Sequence, residues 1–82
     1  MPILSEEQIL NLKSSIAPKV GNAIKLARKK RNISQIVLAQ RTHKDRQYIY
    51  KIEKGIVTPN IVTLCILAVA LEVSISELLE DI

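Results

Sequence analysis

The most informative segment of the chain is residues 34–55, SQIVLAQRTHKDRQYIYKIEKG. Its apolar spacing and polar centre predict two short helices joined by a tight turn. Ala39 on the first helix is small enough for a close crossing of the pair, and Ile49 and Ile52 lie one turn apart on the second. Asp45 can cap the second helix because its carboxylate can accept the free amide hydrogens of the first turn.

The second helix has a polar outer face opposite its two isoleucines, which is typical of a helix in the DNA major groove. This face consists of Arg46, Gln47, Tyr50 and Lys51. Arg46 can bond guanine or clamp a phosphate, and Gln47 can bond adenine or remain solvated. Lys51 can reach a base or a phosphate, and Tyr50 can pack on a thymine methyl group or on the backbone. These four residues are the predicted base contacts.

Four segments together resemble the lambda-repressor-like helix-turn-helix family, also called the Cro/C1 or XRE type. They are VGNAIKLAR at 20–28, SQIVLAQ at 34–40, YIYKIEKG at 48–55 and TPNIVTLCILAVALEVSISELL at 58–79. The run DRxYIxxIE at 45–53 is also similar to the small controller proteins of restriction–modification systems. The resemblance implies an all-α, compact five-helix DNA-binding domain, here with an extra short N-terminal helix.

The resemblance also implies contacts with the DNA backbone. Gln35 resembles the family residue that bonds a phosphate and braces the recognition helix, and Arg28 with Glu53 resembles an internal ion pair. His43 stands where the family usually has glycine in a left-handed turn, a conformation that histidine tolerates better than most residues. The expected phosphate contacts are Gln35, Ser34, Lys44, His43, Tyr48, Lys54 and Arg31. For Tyr48, partial burial is an equally good interpretation.

The chain divides into an amphipathic extension over 1–17 and a DNA-binding domain over 18–82 that ends in a dimerisation helix. Ser5 and Gln8 form a capping-box pattern at the start of the extension. Its apolar face consists of Ile9, Leu12 and Ile16. We expect a separate short helix that ends before Pro18, because proline and the residue before it disfavour a continuing helix.

Turn and cap residues divide the remainder of the chain. Asn32 can turn the chain before Ser34 caps the next helix, and Gly55 is expected in the left-handed conformation that ends the recognition helix. Thr58 and Pro59 are expected to start the fourth helix, with Thr as its cap and Pro at its first position. The inward stripe of that helix is expected to be Leu64, Leu67, Ala68 and Leu71.

Positive charge is concentrated around the predicted DNA-reading unit. Residues 19–54 hold eleven Lys and Arg against two acidic residues, a net charge of +9, whereas the whole chain carries +4. Such a patch attracts phosphates and makes the affinity depend on salt. Double-stranded DNA is therefore the expected partner.

Composition argues against other classes of protein. The single cysteine, Cys65, allows no internal disulfide, which suits the cytoplasm, and it is expected to pack as a small apolar residue. One histidine, one cysteine and no Gly-rich phosphate loop predict no metal, no cofactor and no enzyme activity. The sequence shows neither a signal-peptide pattern nor an apolar run long enough for a transmembrane helix, so no membrane partner is expected.

Apolar residues near the C-terminus predict a homodimer. Ile66 and Val69 occupy positions on the fourth helix where the family commonly has polar residues, and Leu79 and Ile82 add apolar surface. A two-fold dimer places its recognition helices about one DNA turn apart and requires a palindromic operator. In the alternative interpretation, the N-terminal helix covers Ile66 and Val69 within one subunit.

Two classes of function fit these features. The leading hypothesis is a sequence-specific transcriptional regulator that is autoregulatory or controls a restriction–modification system. The alternative is an antitoxin or a protein-interaction adaptor of the same fold, with a protein partner bound through the N-terminal helix. Affinity for duplex DNA distinguishes the two.

Overall fold

The computed structural model describes residues 2–82, which form five α-helices. They are α1 (Glu6–Lys30), α2 (Gln35–Arg41), α3 (Arg46–Glu53), α4 (Ile61–Leu71) and α5 (Ile75–Leu78). Residues 2–82 contain no strand, and the predicted all-α, five-helix class is confirmed. α1 packs against α3, α4 and α5, while α2 packs against α3 and α4.

Polar side chains fix the start of every helix by accepting a hydrogen bond from a first-turn N–H group. The five caps are Ser5, Ser34, Asp45, Asn60 and Ser74. The predicted start of α4 at Thr58 and Pro59 is wrong. The side-chain oxygen of Asn60 accepts a hydrogen bond from the Thr63 N–H group at 2.8 Å, so Asn60 is the cap and the proline precedes the helix.

α1 is longer than predicted because it continues through Pro18. The predicted separate helix ending before this residue is wrong, and the extension forms the first half of α1. Proline lacks the N–H group that would bond the Ser14 carbonyl, which generally costs a helix about 3 kcal/mol. Ala17 and Val20 on either side of the proline are buried in the core. Their burial helps to offset that cost.

Left-handed backbone occurs at the predicted turns. The φ angles are 56° at Asn32, 55° at His43 and 74° at Gly55, which confirms the expected turn at each position. At Gly55 a Cβ atom would also lie only 2.9 Å from the Cα atom of Pro18, so α1 passes close to the end of α3. Glu72 has a φ of 57° at the end of α4, which the sequence did not indicate.

The core is aliphatic, and residues from all five helices meet in it. Its fully buried large side chains are Ile24, Leu38, Ile49, Ile52, Leu67 and Leu71. The predicted inward stripe of α4 is confirmed, because all four of its residues are buried. Cys65, expected to pack inside, is exposed instead. It follows buried Leu64 by one residue and is therefore rotated about 100° around the helix, away from the core.

The first part of α1 projects from the domain. Every residue from 2 to 14 is exposed, and the longest dimension of the molecule is 43 Å. Val69 is 78% exposed, so the interpretation in which the N-terminal helix covers Ile66 and Val69 within one subunit is wrong. Although α1 has 25 residues, neither it nor any other helix within residues 2–82 is long and apolar enough to cross a membrane.

Candidate nucleic-acid interface

α3 presents its predicted DNA-reading face to solvent. Ile49 and Ile52 are fully buried, which turns the opposite side of the helix outward. That outward side carries exposed Arg46, Gln47 and Tyr50 and half-buried Lys51. The structure therefore brings together, on one surface, the four side chains that the sequence predicted as base contacts.

Gly21 determines how closely α3 approaches α1. It is buried, and a Cβ atom at this position would collide with the backbone carbonyl oxygen of Ile52. The missing side chain therefore allows the end of α3 to lie directly on α1. The sequence interpretation overlooked Gly21. Its signal was a glycine inside a helix, which costs about 0.5–1 kcal/mol relative to alanine unless a close approach requires it.

The turn between α2 and α3 is held by its own backbone. The Thr42 hydroxyl donates to the Leu38 carbonyl at 2.8 Å, and the Lys44 N–H group donates to the Ala39 carbonyl at 2.9 Å. Between them, His43 takes the left-handed conformation and exposes its side chain. These bonds fix the angle at which α3 leaves the turn.

A buried ion pair joins the two helices behind the interface. The Nε atom of Arg28 lies 2.7 Å from one carboxylate oxygen of Glu53, and its Nη2 atom donates to the other at 2.9 Å. Arg28 also donates to the Ile33 carbonyl at 2.9 Å. The hydrogen bonds that Arg28 donates to Glu53 raise the pKa of Arg28 above its ordinary value, although desolvation opposes this shift. The predicted pair is confirmed, and it ties the end of α3 to α1.

Gln35 extends this pair to α2. Its side-chain amide donates to a carboxylate oxygen of Glu53 at 3.1 Å, so the predicted bracing of the recognition helix is confirmed. The second amide hydrogen of Gln35 remains available to another acceptor. Ser34 accepts a hydrogen bond from Val37 N–H at 3.1 Å, which leaves its own hydroxyl hydrogen free. The phosphate contacts of both residues stay predictions.

Arg31 faces the end of α4 instead of the interface. Its guanidinium donates to the Leu71 carbonyl at 3.1 Å and to the Glu72 carbonyl at 3.2 Å, and it lies 3.0 Å from the Glu72 carboxylate. These bonds satisfy carbonyls that the left-handed Glu72 leaves without helical partners. Arg31 therefore has a structural role in joining α1 to α4, and we do not retain it among the phosphate contacts. No local pattern links residues 40 positions apart.

Two lysine–tyrosine pairs flank the outward side of α3. The Nζ atom of Lys44 lies 5.7 Å from the centre of the Tyr48 ring, near the start of the helix. The Nζ atom of Lys54 lies 5.8 Å from the centre of the Tyr50 ring, near its end. Tyr48 is half-buried and packs on the core, as one of its two interpretations expected. Each pair places an ammonium group beside an aromatic ring, within cation–π range.

The residues predicted for the dimer interface differ in exposure. Ile66, Val69 and Ile82 are exposed, whereas Leu79 is half-buried and packs against the core. The structure adds exposed Val62 and Cys65 to the same outer side of α4. We call Val62, Cys65, Ile66 and Val69 the α4 patch. Their spacing of three and four residues in the sequence already indicates that they share one face of the helix.

The helix-turn-helix family matches this sequence over residues 24–78, which is more than half of the chain. The chain therefore belongs to the XRE-type helix-turn-helix family of DNA-binding transcription regulators. A comparison with curated proteins finds no significant match.

One similar solved structure is the crystal structure of the restriction–modification controller protein C.AhdI from Aeromonas hydrophila. It shares 31% sequence identity with this chain at a TM-score of 0.73, and the match covers 76% of this chain and 94% of that chain. The predicted similarity to restriction–modification controllers is confirmed.

Proposed function

We propose that the protein is a sequence-specific, double-stranded DNA-binding regulator that acts as a homodimer on a palindromic operator. The observation that carries this proposal is the outward face of α3, which the buried Arg28–Glu53 pair holds in a fixed position. We extend it to the control of a restriction–modification system or of the protein's own gene. The similarity to C.AhdI supports this extension.

Bases are read by the outward side of α3. Arg46 is the first residue of the helix and is exposed, so its guanidinium can reach the O6 and N7 atoms of guanine together. Gln47 beside it has the donor and acceptor that adenine requires. Tyr50 and Lys51 extend the contact by one helical turn. Each bidentate contact is worth about 1–3 kcal/mol of discrimination between bases.

Phosphates are bound on both sides of this base-reading face. The proposed contacts are Ser34, Gln35, His43, Lys44, Tyr48 and Lys54. Four of them lie at the start of α2 and in the turn, Tyr48 lies in the first turn of α3, and Lys54 lies at the end of α3. Phosphates on either wall of the major groove would thus meet the two ends of the recognition unit. The charge of +9 over residues 19–54 supports this arrangement.

The proposed homodimer forms through the C-terminal part of the chain. The α4 patch is its main proposed surface, and the proposed interface also includes exposed Ile82 and half-buried Leu79. A monomer of this size gains by covering such a patch, because exposed contiguous apolar surface commonly marks an interface. Two-fold symmetry then accounts for a palindromic operator.

Selection of bound sites from random duplex DNA tests this function. We expect a two-fold symmetric consensus to be enriched. Arg46→Ala should weaken binding to it by about 1–3 kcal/mol and relax the preference at one base pair in each half-site. Lys29→Ala is the matched control, because it removes the same charge from an exposed residue outside both the proposed DNA contacts and the α4 patch.

Three results would contradict the proposal. Enrichment of no duplex would favour the protein-interaction adaptor instead. An enriched site without symmetry would exclude the palindromic operator. An Arg46→Ala variant with the same base preferences as Lys29→Ala would show that Arg46 does not read bases.

A further inference from the structure

One face of α1 carries a largely apolar stripe that the domain covers only in part. Its positions alternate in spacing between three and four residues, which is the pattern of a helix that packs along another helix. They are Ile9, Leu12, Ile16, Lys19, Ala23 and Leu26, of which Lys19 is charged and Ile16 and Ala23 pack partly against the core. Ile9 is 41% exposed, Leu12 49% and Leu26 52%, although these are large apolar residues. We call this face the α1 stripe.

A groove adjoins the second half of the α1 stripe. It runs between α1 and α5, and its apolar lining includes Ala23, Leu26, Ala27 and Val73. The two alanines are small, which leaves room for larger side chains from another molecule. The first half of the stripe offers such side chains, since it consists of two isoleucines and a leucine. The first half of the stripe therefore carries protruding side chains, and the second half borders a groove that can receive them.

We propose that two copies of the chain pair their α1 helices in antiparallel orientation, with the projecting half of each in the groove of the other. Ile9 of one copy then lies across from Leu26 of the second, and Leu12 lies across from Ala23. Because this register is reciprocal, the same contacts form twice around a two-fold axis near residues 17 and 18. At the Leu12–Ala23 contact a large side chain meets a small one, and at the Ile9–Leu26 contact two large apolar side chains cover each other, so that both contacts exclude water.

Charge complementarity supports a second copy as the occupant. Lys13 and Ala27 lie on the same flank of the stripe, because they are separated by two seven-residue repeats. When two helices pair in antiparallel orientation, a given flank of one stripe faces the same flank of the other. Lys13 of one copy therefore approaches the Ala27 flank of the other, which borders the groove on the side of α5. That side carries Glu77, Glu80 and Asp81. Within residues 2–82 of one chain, none of these four charged groups forms an ion pair.

The projecting half cannot fill the groove of its own chain. Ile9 and Leu26 belong to the same continuous helix and are 17 positions apart, which corresponds to about 25 Å along the helix axis. A second copy supplies both halves at once and buries both twice. This contact uses a different surface from the α4 patch, so its failure would leave the proposed DNA-binding function unaffected.

Sedimentation of the full chain from low to high micromolar concentration tests the pairing. Leu12→Glu is expected to lower the mass of the assembly formed at high concentration at least twofold, because it places a charge in the contact. Leu10→Glu is the matched control, since Leu10 is 63% exposed on the same part of α1 but lies away from the stripe. A strictly monomeric wild-type protein, or equal masses for both variants, would overturn the proposal.

A cross-linking experiment tests the register itself. In a Cys65→Ser background, Ile9→Cys with Leu26→Cys is expected to give a disulfide-linked dimer under mild oxidation. The control combines Leu10→Cys with Leu26→Cys and should cross-link at least tenfold more slowly. No covalent dimer, or equal rates for the two variants, would exclude the proposed antiparallel register.

Discussion

Arg28 and Glu53, which are 25 residues apart in the chain, form a bidentate ion pair in the interior, with two hydrogen bonds. The side chain of Glu53 is only 3% exposed, and Gln35 donates a further hydrogen bond to it. Three helices therefore converge on one carboxylate. This arrangement fixes the recognition helix relative to α1 and α2, so that its outward face is in place before any DNA arrives.

Replacement of Glu53 by glutamine should be strongly destabilising. It leaves the Arg28 guanidinium buried without its counter-charge, and loss of one partner of such a pair typically costs about 3–5 kcal/mol. Glu72→Gln is the control, because Glu72 pairs with Arg31 on the surface, where an ion pair contributes about 1 kcal/mol or less. Urea unfolding followed by circular dichroism measures both. If both variants lost the same free energy of unfolding, the buried pair would contribute no more to stability than the surface pair.

Gly21→Ala should destabilise the protein by about 1–3 kcal/mol, the usual cost of forcing extra volume into a packed interior. The added methyl group would collide with the Ile52 carbonyl and push α3 away from α1. Asn22→Ala is the matched control on the next, exposed residue of α1 and should be neutral or slightly stabilising. Thermal unfolding of both variants decides the point. A Gly21→Ala variant as stable as the wild type would disprove the close approach.

DNA affinity should fall steeply with salt, and individual residues should account for parts of the slope. Lys44→Ala and Lys54→Ala should each reduce the slope of log K against log salt by about 0.9, the value for one phosphate contact. Arg31→Ala should leave the slope unchanged, because its guanidinium is bound to carbonyls at the end of α4. Fluorescence anisotropy at several salt concentrations measures this. A reduced slope for Arg31→Ala alone would restore Arg31 as a phosphate contact.

The double variant Ile66→Glu with Val69→Glu should abolish the contact through the α4 patch. Both residues are exposed, so the charges should disturb association without unfolding the domain. Ile3→Glu is the control, since it places the same charge at an exposed isoleucine outside α4 and outside the proposed DNA contacts. The double variant should lose affinity for a palindromic site but keep weak binding to a half-site. Unchanged cooperative binding to the whole site would place the dimer interface elsewhere.

Most local features of this domain were predictable from the sequence. The caps Ser5, Ser34 and Asp45 accept bonds from residues three positions further along, so their partners were visible in short segments. The left-handed turns at His43 and Gly55 depend on local backbone preferences in the same way. The α4 start was missed because Asn60 competed with a Thr–Pro pair that also resembles a helix start.

Local pattern therefore determined the helices, their turns and the outward face of α3, because each depends on residues within about one or two helical turns. Contacts between distant residues determined the rest. Burial of the residues beside Pro18 stabilises α1 as one continuous helix. The close approach of α3 requires glycine at position 21. Arg31 donates a hydrogen bond to a carbonyl at the end of α4. No short segment contains both partners of such a contact, so their roles emerge only when the packed helices bring them within bonding distance.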